Sequence, residues 1–225
     1  MKVGVLGSGV VGQTLGGHLA RQGHDVVLGT RSPDELGGKR GLEQTSLQEW
    51  VDGTDGRGRV ESFEAAARHG EVVINATAGT GSLDALRIAG EQNLAGKILI
   101  DVSNPLDFSR GMPPTLTVSN TDSLGEQIQR AFPECRVVKA LNTVTAALMV
   151  DPIRVGGGDH HLFISGNDDE AKRQVTGWLQ GWFGWRHVID LGDITTARGT
   201  EMVLPLWVRL LSTLGTPMFN FRVVQ

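Results

Sequence analysis

The chain has 225 residues, of which 40% are hydrophobic and 20% charged, and this composition predicts one globular domain or one domain with a small appendage. Its net charge of −4 gives no support to nucleic-acid or membrane-surface binding. No apolar run reaches the roughly 18 residues that a membrane span needs. Because the N-terminus leads directly into a predicted strand, we expect no signal peptide. Cys135 is the only cysteine, which excludes an internal disulfide and predicts a cytoplasmic location. We expect Cys135 to be a small semi-buried residue rather than a nucleophile.

The first 32 residues have the pattern of a βαβ unit. Apolar runs at 3–6 and 26–28 predict two strands, and the helical pattern between them stops at Gly23. Between the first strand and the helix stands Gly7-Ser8-Gly9-Val10-Val11-Gly12, the G-x-G-x-x-G fingerprint in the setting that dinucleotide binding requires. Gly7 permits the tight turn, Gly9 lets a pyrophosphate approach the backbone, and Gly12 lets the helix pack closely on the strand. The amides at the start of the helix would then hold the anion.

The end of the second strand predicts which dinucleotide is bound. Sites for NAD usually place an acidic residue there, about 20 residues past the glycines, to bind the ribose 2′-hydroxyl. This chain has Gly29-Thr30-Arg31-Ser32 instead. Because a guanidinium and two short hydroxyls suit a 2′-phosphate, these residues predict NADP(H). We interpret Lys39 and Arg40 as solvated loop cations, with a diffuse positive contribution to the same site as the alternative.

Beyond this unit, short apolar strands alternate with helices. The pattern predicts helices at 46–51, 62–69, 82–89 and 123–131, strands at 71–76, 97–102 and 136–140, and a loop at 108–118. Such alternation is typical of an α/β fold with a doubly wound parallel sheet, so we expect a Rossmann dinucleotide-binding domain over residues 1–150.

From about residue 151 the pattern changes. The residues predict a turn at 155–159, a strand at 161–166, a helix that Asn167 caps and whose first turn is acidic, and a final helix at 197–214. We expect residues 151–225 to form a small C-terminal extension of strand and helix that packs on the first domain.

Four segments should meet beyond the carboxyl ends of the strands, where ligands bind in a doubly wound sheet. They are the glycine loop and residues 76–79, 102–105 and 140–143. Small side chains at 76–79 leave room for a ribose and a nicotinamide, while Asn104 and Asn142 bring amide groups to the same rim; the alternative is that both are ordinary turn residues. The chain has no tyrosine, and the neighbours of Lys139 place it in the sheet. Without an evident acid–base catalyst, hydride transfer to an organic electron acceptor fits this rim better than carbonyl reduction.

Other conspicuous residues have structural interpretations. The side chains of His160 and His161 should point to opposite faces of a strand, so we expect no metal site there. Arg198 and Glu201, three residues apart in the last helix, should form an ion pair. A helical stripe predicted to pack in the core or at a subunit interface, rather than to bind a cofactor, consists of Trp178, Trp182 and Trp185.

Several segments resemble the NADPH:coenzyme F420 oxidoreductase family in order and spacing. They are residues 4–33, VVINATAG, LIDVSNPL, VVKALNTVTAALM, FISGNDDEAK and ARGTEMVLPLW. The same module forms the cytosolic domain of the six-transmembrane metalloreductases. The resemblance implies a Rossmann domain with a small C-terminal helical part, a homodimer, NADP(H) in the main cleft, and a deazaflavin stacked on the nicotinamide.

The resemblance also implies roles for individual residues. The pyrophosphate would be held by Ser8, Gly9, Val10 and Val11, and the 2′-phosphate by Thr30, Arg31 and Ser32. The nicotinamide side would be framed by Ala76, Thr77, Ala78, Val102, Asn104, Pro105 and Ala140. Where the deazaflavin enzymes commonly have Ala-Leu-His-Thr, this chain has Asn142, as in the metalloreductase branch, and this departure leaves the identity of the acceptor open. No catalytic residue is assigned firmly, and Asn142 is the candidate.

The sequence thus predicts a reductase that transfers hydride between NADP(H) and coenzyme F420 or a flavin-like acceptor. The extension at 151–225 is expected to contribute to the acceptor site and to the dimer interface. Two alternatives remain open at this point: a small imine or hydroxy-acid reductase, and a non-catalytic NADP(H)-binding redox sensor.

Overall fold

The computed structural model describes residues 1–37 and 45–225. Eight strands form one mostly parallel sheet in the order β3-β2-β1-β4-β5-β8-β9-β10, and two short strands form a separate antiparallel hairpin. The strands are β1 (Lys2–Leu6), β2 (Asp25–Thr30), β3 (Gly58–Ser62), β4 (Val72–Asn75), β5 (Ile98–Asp101), β6 (Leu106–Asp107), β7 (Thr115–Leu116), β8 (Arg136–Lys139), β9 (His161–Gly166) and β10 (His187–Asp190). The predicted α/β fold with a doubly wound sheet is confirmed. The extension continues the same sheet, because β9 pairs antiparallel with β8 and parallel with β10.

Helices cover both faces of the sheet. They are α1 (Val10–Arg21), α2 (Leu47–Asp52), α3 (Phe63–His69), α4 (Ser82–Ala89), α5 (Glu91–Leu94), α6 (Leu124–Ala131), α7 (Ala146–Met149), α8 (Asp169–Phe183), α9 (Ala197–Met202) and α10 (Leu204–Leu214). The hydroxyls of Ser46, Ser62 and Ser123 accept hydrogen bonds from backbone amides three residues later, and so cap α2, α3 and α6. Within the part of the chain that the structure describes, no helix has both the length and the apolarity to cross a membrane.

The core consists of two apolar layers separated by the sheet. Val5, Ile74 and Ile100 point toward the layer of α1, α7 and α8, whereas their neighbours Leu6 and Leu99 point toward the layer of α3, α4 and α6. Both faces of the central strands are therefore buried, which is why these strands are continuous apolar runs.

Three predicted elements differ from the structure. The predicted loop at 108–118 contains the strand β7, which pairs with β6 just before the loop. The single predicted helix at 197–214 is two helices, with Pro205 in the first turn of α10. Pro205 lacks an amide hydrogen, so it cannot continue the hydrogen bonds of α9. Asn167 does not cap α8; the side chain of Asp168 does, while Asn167 Oδ1 accepts from the amide of Ile194 at 3.0 Å.

The predicted tryptophan stripe of α8 contains Trp178 and Trp182 but not Trp185. Gly184 ends α8 with a φ of 80°, a left-handed conformation, so Trp185 leaves the helix direction. The Trp185 ring is buried, and its Nε1 donates to the carbonyl of Met149 at 3.0 Å. Trp178 and Trp182 are half-buried, stack on each other with ring centroids 5.0 Å apart, and pack against the same core cluster as Trp185. The predicted packing in the core is therefore confirmed, although Trp185 is not part of the helical stripe.

The two adjacent histidines have different structural roles. His160 is buried and its Nε2 lies 2.9 Å from the carbonyl oxygen of Pro152, while the His161 ring lies 5.4 Å from that of His187 on the next strand. Among residues 1–37 and 45–225, no group of three or more His, Cys, Asp or Glu side chains has an arrangement that could hold a metal ion.

Candidate functional site

A cavity of about 710 Å³ lies beyond the carboxyl ends of β1, β2 and β4. Its lining is Gly7, Ser8, Gly9, Thr30, Arg31, Phe63, Ala76, Thr77, Ala78, Thr80, Gly81, Asp84, Ala85 and Ile88. The structure therefore brings together three segments that are far apart in the sequence, namely the glycine loop, the end of β2 and the residues after β4. The glycine loop and the end of β2 are predicted to hold the pyrophosphate and the 2′-phosphate, and the residues after β4 are predicted to lie against the ribose and nicotinamide.

Each of the three glycines of the glycine loop is needed for a different physical reason. Gly7 has a φ of 113°, which side chains rarely permit. A Cβ on Gly12 would overlap the carbonyl oxygen of Gly7, so α1 can lie this close to β1 only without a side chain there. A Cβ on Gly9 would meet no protein atom within 4 Å and would project into open space. Gly9 is therefore not required by packing, which leaves close approach of a ligand as the reason for it.

Gln13 is a further residue of the site that the sequence reasoning missed. It is buried, and its Nε2 donates to the carbonyl of Ser8 at 3.0 Å, while its Oε1 accepts from the hydroxyl of Thr45 at 2.9 Å. Gln13 thus ties the glycine loop to the segment before α2. The sequence feature that could have identified Gln13 is a polar residue on the buried side of a glycine-rich helix.

The residues predicted to bind a 2′-phosphate separate into two groups. Thr30 is buried in the cavity wall, where the Ser8 hydroxyl donates to Thr30 Oγ1 at 3.2 Å, and the exposed Arg31 lines the same cavity. Ser32 does not contribute to the lining. Lys39 and Arg40 lie outside the described residues.

The far wall of the cavity comes from α3 and α4. Phe63 follows β3 directly, and Asp84 and Ile88 are one turn apart on α4. Ile88 is an apolar side chain with 55% of its surface exposed, in the lining of the cavity. The sequence does not predict this wall, because β3 has no continuous apolar run and the sequence of α4 resembles an ordinary connection between strands.

Of the predicted nicotinamide rim, Ala76, Thr77 and Ala78 belong to the lining of this cavity, and the remaining residues lie outside that lining. Val102 and Ala140 are buried directly after β5 and β8, and Asn104 and Asn142 form a reciprocal amide pair. Asn104 Nδ2 donates to the carbonyl of Asn142 at 2.8 Å, and Asn142 Nδ2 donates to Asn104 Oδ1 at 3.0 Å. Pro105 follows in a buried position.

Asn142 is fixed by the protein itself, which changes the interpretation of this residue. Its Nδ2 also donates to the carbonyl of Thr200 on α9 at 3.1 Å, so both amide hydrogens bind protein acceptors. Leu141, just before it, has a φ of 62°, which costs a non-glycine residue about 1–2 kcal/mol. Asn142 therefore lies at the rim, and its side chain joins the rim to the extension.

A buried polar cluster lies directly below the rim. Lys139 Nζ contacts Asp101 Oδ2 at 2.8 Å, Glu201 Oε1 at 2.8 Å and the carbonyl of Ser103 at 2.6 Å. Burial alone lowers the pKa of Lys139, but the carboxylates of Asp101 and Glu201 outweigh it and raise that pKa above its ordinary value. Lys139 lies in the sheet, as predicted, and its three donors are occupied, so it does not polarise a substrate carbonyl.

The predicted ion pair between Arg198 and Glu201 does not form. Arg198 Nε donates to Glu126 Oε2 on α6 at 2.8 Å, whereas Glu201 turns to Lys139 and accepts from the amides of Leu124 and Gly125 at 2.8 and 3.0 Å. The spacing along α9 permits the predicted pair, but Arg198 and Glu201 bind partners on α6 and β8 instead.

A second cavity of about 650 Å³ lies between α1 and α7. Val10 and Thr14 line it from α1, Thr145 from the segment after β8, and Arg154 and Pro217 from the extension. Val10, which was predicted to hold the pyrophosphate, therefore faces this second cavity, and Val11 lines neither one. The glycine loop before α1 thus lines the first cavity, and residues of α1 line the second.

Comparison with known proteins identifies related chains. A sequence profile described as "NADP oxidoreductase coenzyme F420-dependent" matches residues 2–105. A crystal structure from Arthrobacter sp. FB24, of a protein proposed to be an F420-dependent NADP reductase, is 53% identical, with a TM-score of 0.94 over 100% of both chains. Metalloreductase STEAP3 of Rattus norvegicus is 32% identical over 95% of this chain, and metalloreductase STEAP2 of Homo sapiens is 29% identical over 91%. The chain spans 39% and 36% of the length of these two metalloreductases.

Proposed function

This chain belongs to the family of coenzyme F420-dependent NADP oxidoreductases, and from that premise we propose that it transfers hydride between NADP(H) and coenzyme F420 or a flavin-like acceptor. The observation that carries the proposal is the cavity at the glycine loop, which has open space at Gly9 and Arg31 at its edge. The Arthrobacter protein supports the deazaflavin, and the similarity to the metalloreductases supports keeping a flavin as the second acceptor to test.

The described residues fit an NADP(H) molecule. The backbone at Gly9 and the start of α1 would hold the pyrophosphate, since that helix begins with unpaired amides and carries no acidic residue in its first turn. Thr30 and Arg31 would hold the 2′-phosphate through a hydroxyl and a guanidinium. Phe63 and Ile88 give the same cavity an apolar side against which an adenine ring can pack.

The rim fits a reaction in which the protein positions two rings and supplies no proton. A bound nicotinamide and its acceptor exchange the hydride themselves. The side chains of Ala76, Val102 and Ala140 are small or apolar and leave the ring face accessible, while Asn104 and Asn142 hold each other in place. The protein's contribution is therefore orientation and exclusion of water.

We place the acceptor in the second cavity. It adjoins the segment after Asn142, and Arg154 and Pro217 bring residues of the extension into its wall. This arrangement supports the expectation that the extension completes the acceptor site. Arg154 offers a positive charge to an acceptor with an anionic side chain.

We further propose that the protein is a homodimer. On α10, Leu206 and Leu214 are 53% and 54% exposed, with the exposed polar residues Arg209, Ser212 and Thr213 between them in the sequence. Large exposed apolar side chains rimmed by polar residues are typical of a protein interface. Light scattering of the wild type and of Leu206→Gln should give dimer and monomer masses, and a monomeric wild type would contradict this part of the proposal.

Stopped-flow absorbance under anaerobic conditions tests the reaction. The protein is mixed with NADPH and oxidised F420, with FMN and FAD as parallel acceptors. Loss of the oxidised F420 band at the rate of NADPH consumption supports the deazaflavin, and reduction of flavin alone assigns the protein to flavin reduction. Tight NADPH binding without reduction of any of the three contradicts the proposed reaction and favours a redox sensor, or an imine or hydroxy-acid reductase.

A further inference from the structure

A chain of hydrogen bonds and ion pairs runs below the rim from the cofactor cavity to the C-terminal extension. We call Thr77, Asn75, Asp101, Lys139 and Glu201 the buried polar chain. Thr77 Oγ1 donates to Asn75 Oδ1 at 2.7 Å, Asn75 Nδ2 donates to Asp101 Oδ1 at 2.9 Å, and Lys139 bridges Asp101 to Glu201 at 2.8 Å on each side. Its first member lines the cavity and its last member belongs to α9.

The fold places this chain in one row. Asn75, Asp101 and Lys139 are the last residues of three neighbouring strands, and they face one another in the register of the sheet. Each is at most 1% exposed. The loops that frame the nicotinamide side begin at the next residue of each strand, so a displacement of this row moves all three loops together.

Two contacts connect α9 to these loops. Glu201 holds Lys139, which in turn holds the carbonyl of Ser103 at 2.6 Å, and the carbonyl of Thr200 accepts from Asn142. Glu201 is itself held by two amides at the start of α6. A buried charge cluster resists displacement because separating its members leaves unpaired charges without water.

We propose that α9 of the extension, through Glu201 and the carbonyl of Thr200, positions the nicotinamide half of the cofactor. Glu201, Lys139 and Asn142 are positioning residues that act through the loops at Asn104 and Ala140. The inference rests on the proposed function, because it takes the nicotinamide to lie at this rim. The adenosine half, bound at Gly9 and Arg31, does not depend on α9.

Calorimetric titration with two ligands tests this division. The ligands are NADP⁺ and 2′-phospho-ADP-ribose, which has the same adenosine, phosphates and second ribose but no nicotinamide. The test variant is Glu201→Gln. The matched control is Glu126→Gln. It removes the carboxylate that pairs with Arg198, which is a second contact between α6 and α9, and it leaves the rim contacts in place.

Glu201→Gln should weaken NADP⁺ binding about tenfold and change 2′-phospho-ADP-ribose binding by less than about twofold. Glu126→Gln should leave the ratio of the two affinities at its wild-type value. Equal losses for both ligands in Glu201→Gln, or the same ratio change in both variants, would overturn the inference in favour of general loosening. A wild type that binds neither ligand would instead contradict the proposed function.

Asn142→Ala keeps the inference testable if Glu201→Gln does not fold. This substitution removes the hydrogen bonds of the Asn142 side chain to the carbonyl of Thr200 and to Asn104 Oδ1, and it leaves the buried charges paired. It should shift the affinity ratio in the same direction, and an unchanged ratio in folded Asn142→Ala would overturn the proposal. The melting temperature of each variant establishes that the titrated protein is folded.

Discussion

Gly9 and Gly12 are three residues apart in one motif, yet alanine should have a different effect at each position. It should lower the stability of the fold at Gly12 and weaken NADP⁺ binding at Gly9. Gly12→Ala places a methyl group against the carbonyl oxygen of Gly7, and relieving that overlap requires a backbone shift of about 1 Å or more. Overpacking of this kind against backbone should cost about 3 kcal/mol or more, which lowers the melting temperature by about 6–12 °C in a chain of this length.

Gly9→Ala has no such cost. Its methyl group meets no protein atom within 4 Å, and the φ of −76° at Gly9 suits alanine, so the loss of stability should stay within about 1 kcal/mol. The methyl would instead occupy the path of the pyrophosphate, and NADP⁺ binding should fall by about 100-fold. Calorimetry and thermal melts of both variants measure the two effects. A Gly9→Ala variant that binds NADP⁺ like the wild type would refute the reasoning, as would an undiminished melting temperature in Gly12→Ala.

Three further predictions concern charge. Arg31→Asp removes a charge-assisted contact and adds a repulsion, so titration should show NADPH affinity reduced by about 2–5 kcal/mol and NADH affinity reduced far less; equal losses would contradict the 2′-phosphate assignment. The Arg130 guanidinium lowers the pKa of Asp122 from 3.8 to about 2, so this contact stabilises the fold above about pH 4 and is lost as the pH falls through about 2. Because Arg130 is exposed, Asp122→Asn should lower the free energy of unfolding by at most about 1 kcal/mol near neutral pH, as measured in denaturant melts. An equal loss at pH 2 would contradict the predicted pH dependence of this contact. Burial raises the pKa of Cys135 to about 12, so iodoacetamide should alkylate this thiol only as the protein unfolds; rapid labelling of the native protein would contradict its burial.

The parts of the fold that local sequence determines were predictable. The strand, glycine turn, helix and second strand at the N-terminus depend on contacts between close neighbours in the chain, and their residues allow few other conformations. The strand β3 was missed because Gly58–Ser62 lies at the edge of the sheet, and three of its five residues are polar or charged. An edge strand with one partner needs no continuous apolar run.

The buried polar chain could not be predicted from spacing. Lys139 and Glu201 belong to elements far apart in the sequence, and their contact depends on how α9 packs against the sheet. Local spacing suggested Arg198 as the partner of Glu201, an exposed pair worth little. The structure instead satisfies a buried lysine and two helix amides with the same carboxylate, and loss of that carboxylate would cost more because it leaves an unpaired buried charge.

The role of Asn142 shows the same limit. The sequence places it correctly after β8, at the rim, because strand ends are local features. The orientation of its side chain depends on the left-handed Leu141 and on the carbonyl of Thr200, and neither can be inferred from the neighbouring residues. Position was predictable here, and hydrogen-bond partners were not.

The transfer of an isotope label tests the proposed reaction most directly. NADPH carrying deuterium at C4 of the nicotinamide, in each of its two epimers, is incubated with the wild-type protein and oxidised F420. We expect the reduced F420 to retain deuterium from one epimer, because the rim presents a single face of the ring to the acceptor. Reduced F420 whose new hydrogen comes from solvent, or the absence of any F420 reduction with NADPH bound, would contradict hydride transfer at this site.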